Sequence, residues 1–228
     1  MAFKAVLFDF NGVILNDERL HEELINQILL EENLQPMRGE YRYLCLGRSD
    51  RACLVELFKE RGRYLSESQL QALIERKHDY YQKHLATLEK LPLFPGLADF
   101  ILQISSANLA MAVVSGALRS EIELTLQRSD LAQHFPVIVA GDDITTSKPD
   151  PTGYLLAAEK LGVAPAECLA IEDTPAGITA AKQAGISVAA VANTYPFHML
   201  QRRANWTVDF LPELELERVR EVLARLDS

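Results

Sequence analysis

Four groups of residues in this chain have the types and the spacing to do chemistry together. Asp9 follows the apolar run Ala5-Val6-Leu7-Phe8 and precedes Phe10-Asn11-Gly12. Ser115-Gly116 follows a second apolar run, residues 110–114. Lys148 stands in "SKPDP", and Glu172-Asp173 follows the run Leu169-Ala170-Ile171. Ligands of open parallel sheets bind beyond the carboxyl ends of the strands, where the strand order reverses. If the first strand is central and the one ending at Ile171 lies beside it, Asp9 meets Glu172 and Asp173 there. Three converging carboxylates repel one another unless a cation holds them, and hard oxygen ligands in small number suit Mg²⁺ with a substrate phosphate. A carboxylate such as Asp9 can then attack phosphorus to give an aspartyl-phosphate. Charge on the transferring group calls for surrounding donors: the Ser115 hydroxyl, the Lys148 ammonium and backbone N–H groups around Asn11, Gly12 and Gly116. Singly, each signal has a plainer use; Asp173, for example, could cap the helix after it. Four of them in this order on one sheet edge favour a shared site.

The elements that must position these residues follow from the apolar pattern. Residues 5–8, 110–114, 137–140, 169–171 and 188–191 read as buried parallel strands. Helical patterns at 97–106, 120–127, 152–161, 176–184 and 214–226 alternate with them, which predicts an α/β sheet covered on both faces. About 100 residues separate the first two strands, far more than a crossover needs. That stretch is itself helical in pattern over 18–32, 51–61 and 66–87, the last opening on the capping-box sequence "SESQ". Pro92, Pro95 and Gly96 punctuate the return to the sheet. The expected organisation is a core of residues 1–15 and 91–228 with a helical domain, 16–90, inserted after the first strand.

Bulk properties narrow the function classes. The 228 residues carry a net charge of −9, with no stripe of Lys and Arg, so nucleic acid and anionic membranes are poor partners. The start lacks the apolar stretch of a signal peptide, and no run approaches the roughly 20 apolar residues of a membrane span. Cys45, Cys53 and Cys168 are odd in number and match no metal spacing, which reads as reduced thiols in a cytoplasmic protein. No segment demands a partner surface, so a monomer is expected.

Taken together, "FDFNGV", "VVSGA", "SKPDP" and "IEDTPAGI" resemble the four ordered motifs of the haloacid-dehalogenase superfamily across essentially the whole chain. The resemblance implies a Rossmann-like doubly wound parallel sheet of order 3-2-1-4-5 with an α-helical cap. It implies Asp9 as nucleophile, Ser115 and Lys148 on the phosphoryl group, and Mg²⁺ on Asp9, the Asn11 carbonyl and Asp173, assisted by Glu172. The cap resembles that of the beta-phosphoglucomutase and phosphoglycolate-phosphatase-like subgroup. By that likeness His21, Arg48, Arg51 and Lys77 are candidates to contact substrate, with Gly12 and Gly116 beside the phosphoryl group.

Asn11 departs from the pattern. Phosphatases and mutases of the superfamily carry at this position an Asp that protonates the leaving oxygen and then activates water. An amide neither donates a transferable proton nor accepts one at neutral pH, and loss of such a group costs about 10²–10⁴ in rate. The change is introduced, compensated by a water or another residue, inactivating, or a sign of different chemistry. "DFNGV" matches neither the "DxYGT" of dehalogenases nor the "DxAGT" of phosphonoacetaldehyde hydrolase. Deamidation at Asn11-Gly12 is a route back to a carboxylate. The expectation is a Mg²⁺-dependent phosphohydrolase of a small phosphorylated metabolite, impaired or modified at Asn11. The alternatives are a beta-phosphoglucomutase-like mutase and a catalytically weak metabolite-binding protein.

Overall fold

In the computed structural model, which describes residues 3–226, six parallel strands form one sheet in the order β3-β2-β1-β4-β5-β6. They are β1 (Ala5–Phe8), β2 (Ala110–Val114), β3 (Val137–Val139), β4 (Cys168–Glu172), β5 (Ser187–Val191) and β6 (Trp206–Val208). The expected five-strand order 3-2-1-4-5 is extended at one edge by β6, which pairs with β5. Its three residues, Trp-Thr-Val, are only half-buried, too short and too mixed to stand out as a strand in the sequence.

Side chains alternate across the sheet and account for the helices on either side. Val6, Phe8, Met111 and Val113 pack against α5 (Leu97–Ser106), α6 (Arg119–Arg128) and α9 (Leu216–Leu226) through Phe100, Ile104, Ile122, Leu126 and Val219. The Phe8 ring meets Phe100 and Phe135 edge-on at centroid distances of 6.2 and 5.5 Å. On the opposite face Ala5, Leu7, Ala112 and Val114 meet α7 (Thr152–Leu161) and α8 (Pro175–Gln183) through Tyr154, Ala157, Ala158 and Ile178. Each fully buried side chain of Leu or Phe size contributes roughly 1.5–3 kcal/mol.

Between β1 and α5 the chain forms α1 (Glu18–Glu31), α2 (Glu40–Leu44), α3 (Asp50–Lys59) and α4 (Glu67–Thr87). These helices have a hydrophobic cluster of their own, built on Ile25, Ile28, Leu54, Phe58, Leu70 and Leu73. The capping box at α4 forms as its sequence predicts, with Ser66 and Gln69 each accepting from the other's backbone N–H. The expectation of three reduced thiols is corrected: Cys45 and Cys53 are disulfide-bonded across the α2–α3 turn, and Cys168 alone is free. The pair is eight positions apart in the chain, and helix α3 brings Cys53 back over Cys45. No helix among the described residues is long and apolar enough to cross a membrane.

Candidate active site

The parallel register places the polar residues that follow β1, β2 and β4 on one sheet edge, since Phe8 lies level with Val113 and Ile171. Asp9, Glu172 and Asp173 are buried there, and one carboxylate oxygen from each lies within 4.8 Å of the others. Their environments differ. Asp9 Oδ1 accepts from the Phe10 N–H at 2.7 Å and faces Lys148 Nζ at 2.8 Å. Glu172 is fully engaged: Oε1 accepts from Lys148 at 2.7 Å and from the Tyr154 hydroxyl at 2.7 Å, and Oε2 from the Asp173 N–H and the Thr174 hydroxyl. Neither oxygen of buried Asp173 makes a well-formed hydrogen bond among the described residues. It does not cap α8, because Thr174 does so by accepting from the Gly177 N–H.

Electrostatics follow from this arrangement. Burial and the Glu172 charge raise Asp9 to about 7 against the opposing pull of Lys148. Burial, with the Asp9 and Glu172 charges, pushes Asp173 well above the carboxylate range. Burial alone would push the Lys148 ammonium down, but Asp9 and Glu172 outweigh it and hold the group charged. An orphaned, buried carboxylate beside a second one fits a cation: Asp9 and Asp173 have the oxygens to hold it, with Glu172 steadying Lys148 behind them. Gly12 makes room for this. Its φ is +79°, and a Cβ there would stand 1.8 Å from Asp173 Oδ2.

The helical insertion closes over the same edge. Gly116 permits close approach, since a Cβ on it would lie 2.8 Å from the Ser49 backbone nitrogen. The Ser49 N–H also donates to Ser147 Oγ across the interface. Between the two parts lies a chamber of about 30 Å³ whose lining includes Asp9, Asn11, Glu18, His21, Arg48, Lys77 and Ser115. From the insertion, Asp17 reaches the Asn11 side chain: Asn11 Nδ2 donates to Asp17 Oδ1 and Oδ2 at 2.9 and 3.0 Å. His21 Nε2 lies 3.0 Å from Asn11 Nδ2 and 3.1 Å from Asp17 Oδ2. Tyr81 donates its hydroxyl to Asp17 Oδ2 at 2.6 Å and stacks on the His21 ring at 4.9 Å. His21 Nδ1 meets Lys77 Nζ at 2.6 Å, and Lys77 in turn pairs with Asp50 at 2.8 Å. Burial raises Asp17, yet the His21 charge and the hydrogen bonds from His21, Asn11 and Tyr81 hold it below the ordinary carboxylate range. Burial and the Lys77 charge depress His21, and Asp17 more than restores it.

With this geometry in hand, comparison with known proteins is decisive. The family pattern described as haloacid dehalogenase-like hydrolase matches residues 6–191. The chain belongs to that family. Haloacid dehalogenase-like relatives include the phosphorylated carbohydrates phosphatase of Thermotoga maritima, 31% identical over 80% of this chain and 82% of its own length. The beta-phosphoglucomutase of Bacillus subtilis is 29% identical over 96% of this chain and 98% of its own. Among solved structures, an Asp-to-Asn variant of CbbY from Rhodobacter sphaeroides in complex with xylulose 1,5-bisphosphate superposes with a TM-score of 0.82. It is 27% identical and covers 94% of this chain and 96% of that one. The haloacid dehalogenase-like fold thus carries a phosphatase-like hydrolase.

The structure brings together most of the residues singled out in the sequence. Asp9, Asn11, Ser115, Gly116, His21, Arg48 and Lys77 line the chamber, while Lys148, Glu172 and Asp173 lie against Asp9 and Gly12 against Asp173. Arg51 is elsewhere: it pairs with the exposed Glu67 and is absent from the chamber lining. Sequence reasoning missed Asp17, Tyr81, Tyr154 and Asp50. Tyr81 is fully buried with its hydroxyl on Asp17. The one available signal was the i, i+4 spacing of Asp17 and His21, and of Lys77 and Tyr81, on single helices.

Proposed function

We propose that this chain is a Mg²⁺-dependent phosphohydrolase acting on a small phosphorylated metabolite through an aspartyl-phosphate on Asp9. The observation that carries it is the buried Asp9 carboxylate, held at 2.8 Å by Lys148 beside an Asp173 carboxylate that makes no well-formed hydrogen bond among the described residues. Asp9 attacks phosphorus, Lys148 neutralises charge on the transferring group, and Ser115 orients one of its oxygens. Asp9 and Asp173 would hold Mg²⁺, which when bound supplies positive charge to the phosphoryl oxygens. Residues 16–90 act as the cap. Arg48 lines the chamber with Asp9, and closure of the cap over a bound substrate would exclude water from the reacting groups.

The likeness to a carbohydrate-phosphate phosphatase over most of the chain supports a phosphorylated carbohydrate or short phosphorylated acid as substrate. The test is phosphate release from a panel of sugar and short-acid phosphates, with and without Mg²⁺, by the intact chain and its Asp9→Asn variant. Metal-dependent release that the variant loses supports the reading. Release that survives in the variant, or needs no metal, overturns it. The likeness to a beta-phosphoglucomutase makes an isomerising mutase the second reading. It predicts a rearranged sugar phosphate in place of free phosphate.

A further inference from the structure

Arg51 is absent from the chamber because it lines a second, larger space. A groove of about 560 Å³ runs between helices α3 and α4 of the insertion and the loops that follow β2 and β3 of the sheet domain. Small-molecule sites enclose about 300–1,000 Å³, with apolar walls and a few placed polar groups. The groove has that size and that make-up, since Ile74, Leu118 and Ile144 line it beside its charged residues. Asp50 and Gly116 line both the groove and the chamber, so the two spaces share a wall. That wall is thin, because Gly116 brings no side chain to its contact with the Ser49 backbone. A molecule reacting at Asp9 and too long for the chamber would continue into the groove.

The charges of the lining decide what could continue there. Five carboxylates border the groove: Asp50, Glu67, Glu75, Asp142 and Asp143. Asp50 pairs with Lys77 at 2.8 Å, Glu67 with Arg51, and Asp143 with Arg119. Glu75 accepts from Gln71 Nε2 at 3.0 Å and Asp142 from the Arg119 backbone N–H at 2.9 Å. Neither of these two forms an ion pair among the described residues. The two basic side chains of the lining are already engaged, Arg51 by Glu67 and His78 by Glu121. A second phosphate or a carboxylate on the substrate would therefore meet negative charge and no open cation. Hydroxyl groups suit the place, because ionised carboxylates only accept hydrogen bonds, and the C–H face of a sugar ring can lie on Ile74, Leu118 and Ile144.

We infer that the groove is a leaving-group subsite for an uncharged, polyhydroxylated extension of the substrate, a second sugar ring joined to the phosphorylated one. The inference rests on the phosphohydrolase reading above and narrows it, setting neutral sugar phosphates over bisphosphates and phosphorylated acids. Arg48 is the rival. It lines the chamber and not the groove, and it forms no ion pair among the described residues. A substrate chosen by Arg48 would carry its second anion close to Asp9 and would leave the groove unused.

The experiment is Mg²⁺-dependent phosphate release from trehalose 6-phosphate, glucose 6-phosphate and fructose 1,6-bisphosphate, compared as ratios of kcat/KM, with p-nitrophenyl phosphate as a small reference. For the unmodified chain the disaccharide phosphate should exceed glucose 6-phosphate at least about tenfold, as an added set of made contacts does in a fitted site. The bisphosphate should fall at least about tenfold below glucose 6-phosphate, because like charges face it. Thr145→Trp narrows the groove from an exposed lining position and should bring the disaccharide-to-monosaccharide ratio to about one or lower. Glu75→Lys combined with Asp142→Lys should raise the bisphosphate-to-monosaccharide ratio at least about tenfold. Each ratio is taken on one preparation, so a partly folded variant cannot imitate these shifts. A bisphosphate preferred by the unmodified chain, a disaccharide phosphate no better than glucose 6-phosphate, or ratios that neither variant moves would each overturn the inference. So would release from p-nitrophenyl phosphate with none from the three sugar phosphates. Absence of release from all four compounds rejects the phosphohydrolase reading itself, which is a different failure.

Discussion

Replacing Asn11 by Asp would ordinarily be read as restoring an acid–base group, but the structure assigns it a cost. The new carboxylate would take the place of an amide nitrogen that now lies 2.9 and 3.0 Å from the two oxygens of Asp17. Two unit charges 3 Å apart at an effective dielectric of 20 repel by about 5.5 kcal/mol. Two hydrogen bonds to a charged acceptor also disappear, each worth about 1.5–3 kcal/mol. The pair relieves the repulsion by keeping one proton between its members, so its last ionisation in the folded state lies above the ordinary carboxylate value of about 3.9. The folded chain then binds more protons than the unfolded chain, and stability falls as pH rises through that interval. If three to four pK units absorb the repulsion, at 1.36 kcal/mol each, Asn11→Asp loses on the order of 2 kcal/mol more at pH 8.5 than at pH 5.5, relative to the parent. Urea denaturation of both proteins at the two pH values measures this directly. Adding Asp17→Asn to the variant should abolish the extra slope, because the carboxylate–amide pair is then rebuilt in reverse. Parallel stability curves for parent and Asn11→Asp would refute the reasoning.

Two further perturbations probe the rest of the site. Gly12→Ala forces a side chain into left-handed backbone at φ +79°, at about 1–2 kcal/mol, and onto Asp173 Oδ2. Mg²⁺ affinity by calorimetry should fall at least about tenfold, a 1.4 kcal/mol change, and an unchanged affinity would remove Asp173 from the metal site. His78 on α4 meets buried Glu121 on α6 at 3.0 Å, linking the helical insertion to the sheet domain. The Glu121 hydrogen bond raises His78, against partial burial and the Lys77 charge, with Asp79 adding to the rise and Gln82 and Ser120 as its other polar neighbours. A raised histidine contributes stability that is complete below its unfolded value of about 6.5 and is lost as pH climbs through the folded one. The stability difference between the parent and His78→Gln should therefore shrink from pH 6 to pH 9. A difference that grows with pH contradicts the pairing.

The sequence by itself determined five strands of the sheet, their helices and the edge on which the candidate site lies. Apolar runs of strand length followed by Asp9, Ser115 and Glu172-Asp173 mark where β1, β2 and β4 end, because a polar or charged group costs free energy in a core unless it finds a partner. Once parallel strands are in register, those stops fall on one edge whatever the details of the helices. The short edge strand β6 escaped notice because a half-buried three-residue strand carries no period. The Cys45–Cys53 bond depends on how α3 turns back on α2, a matter of packing and not of spacing. Only the tertiary structure decided the meaning of Asn11. Read in line it is a missing acid, since its neighbours Phe10 and Gly12 carry no protons to move. In three dimensions it meets Asp17, His21 and, through His21, Lys77, residues up to 66 positions away. Hydrogen bonds act over about 3 Å whatever the chain distance, so the partner of a side chain is a property of the fold.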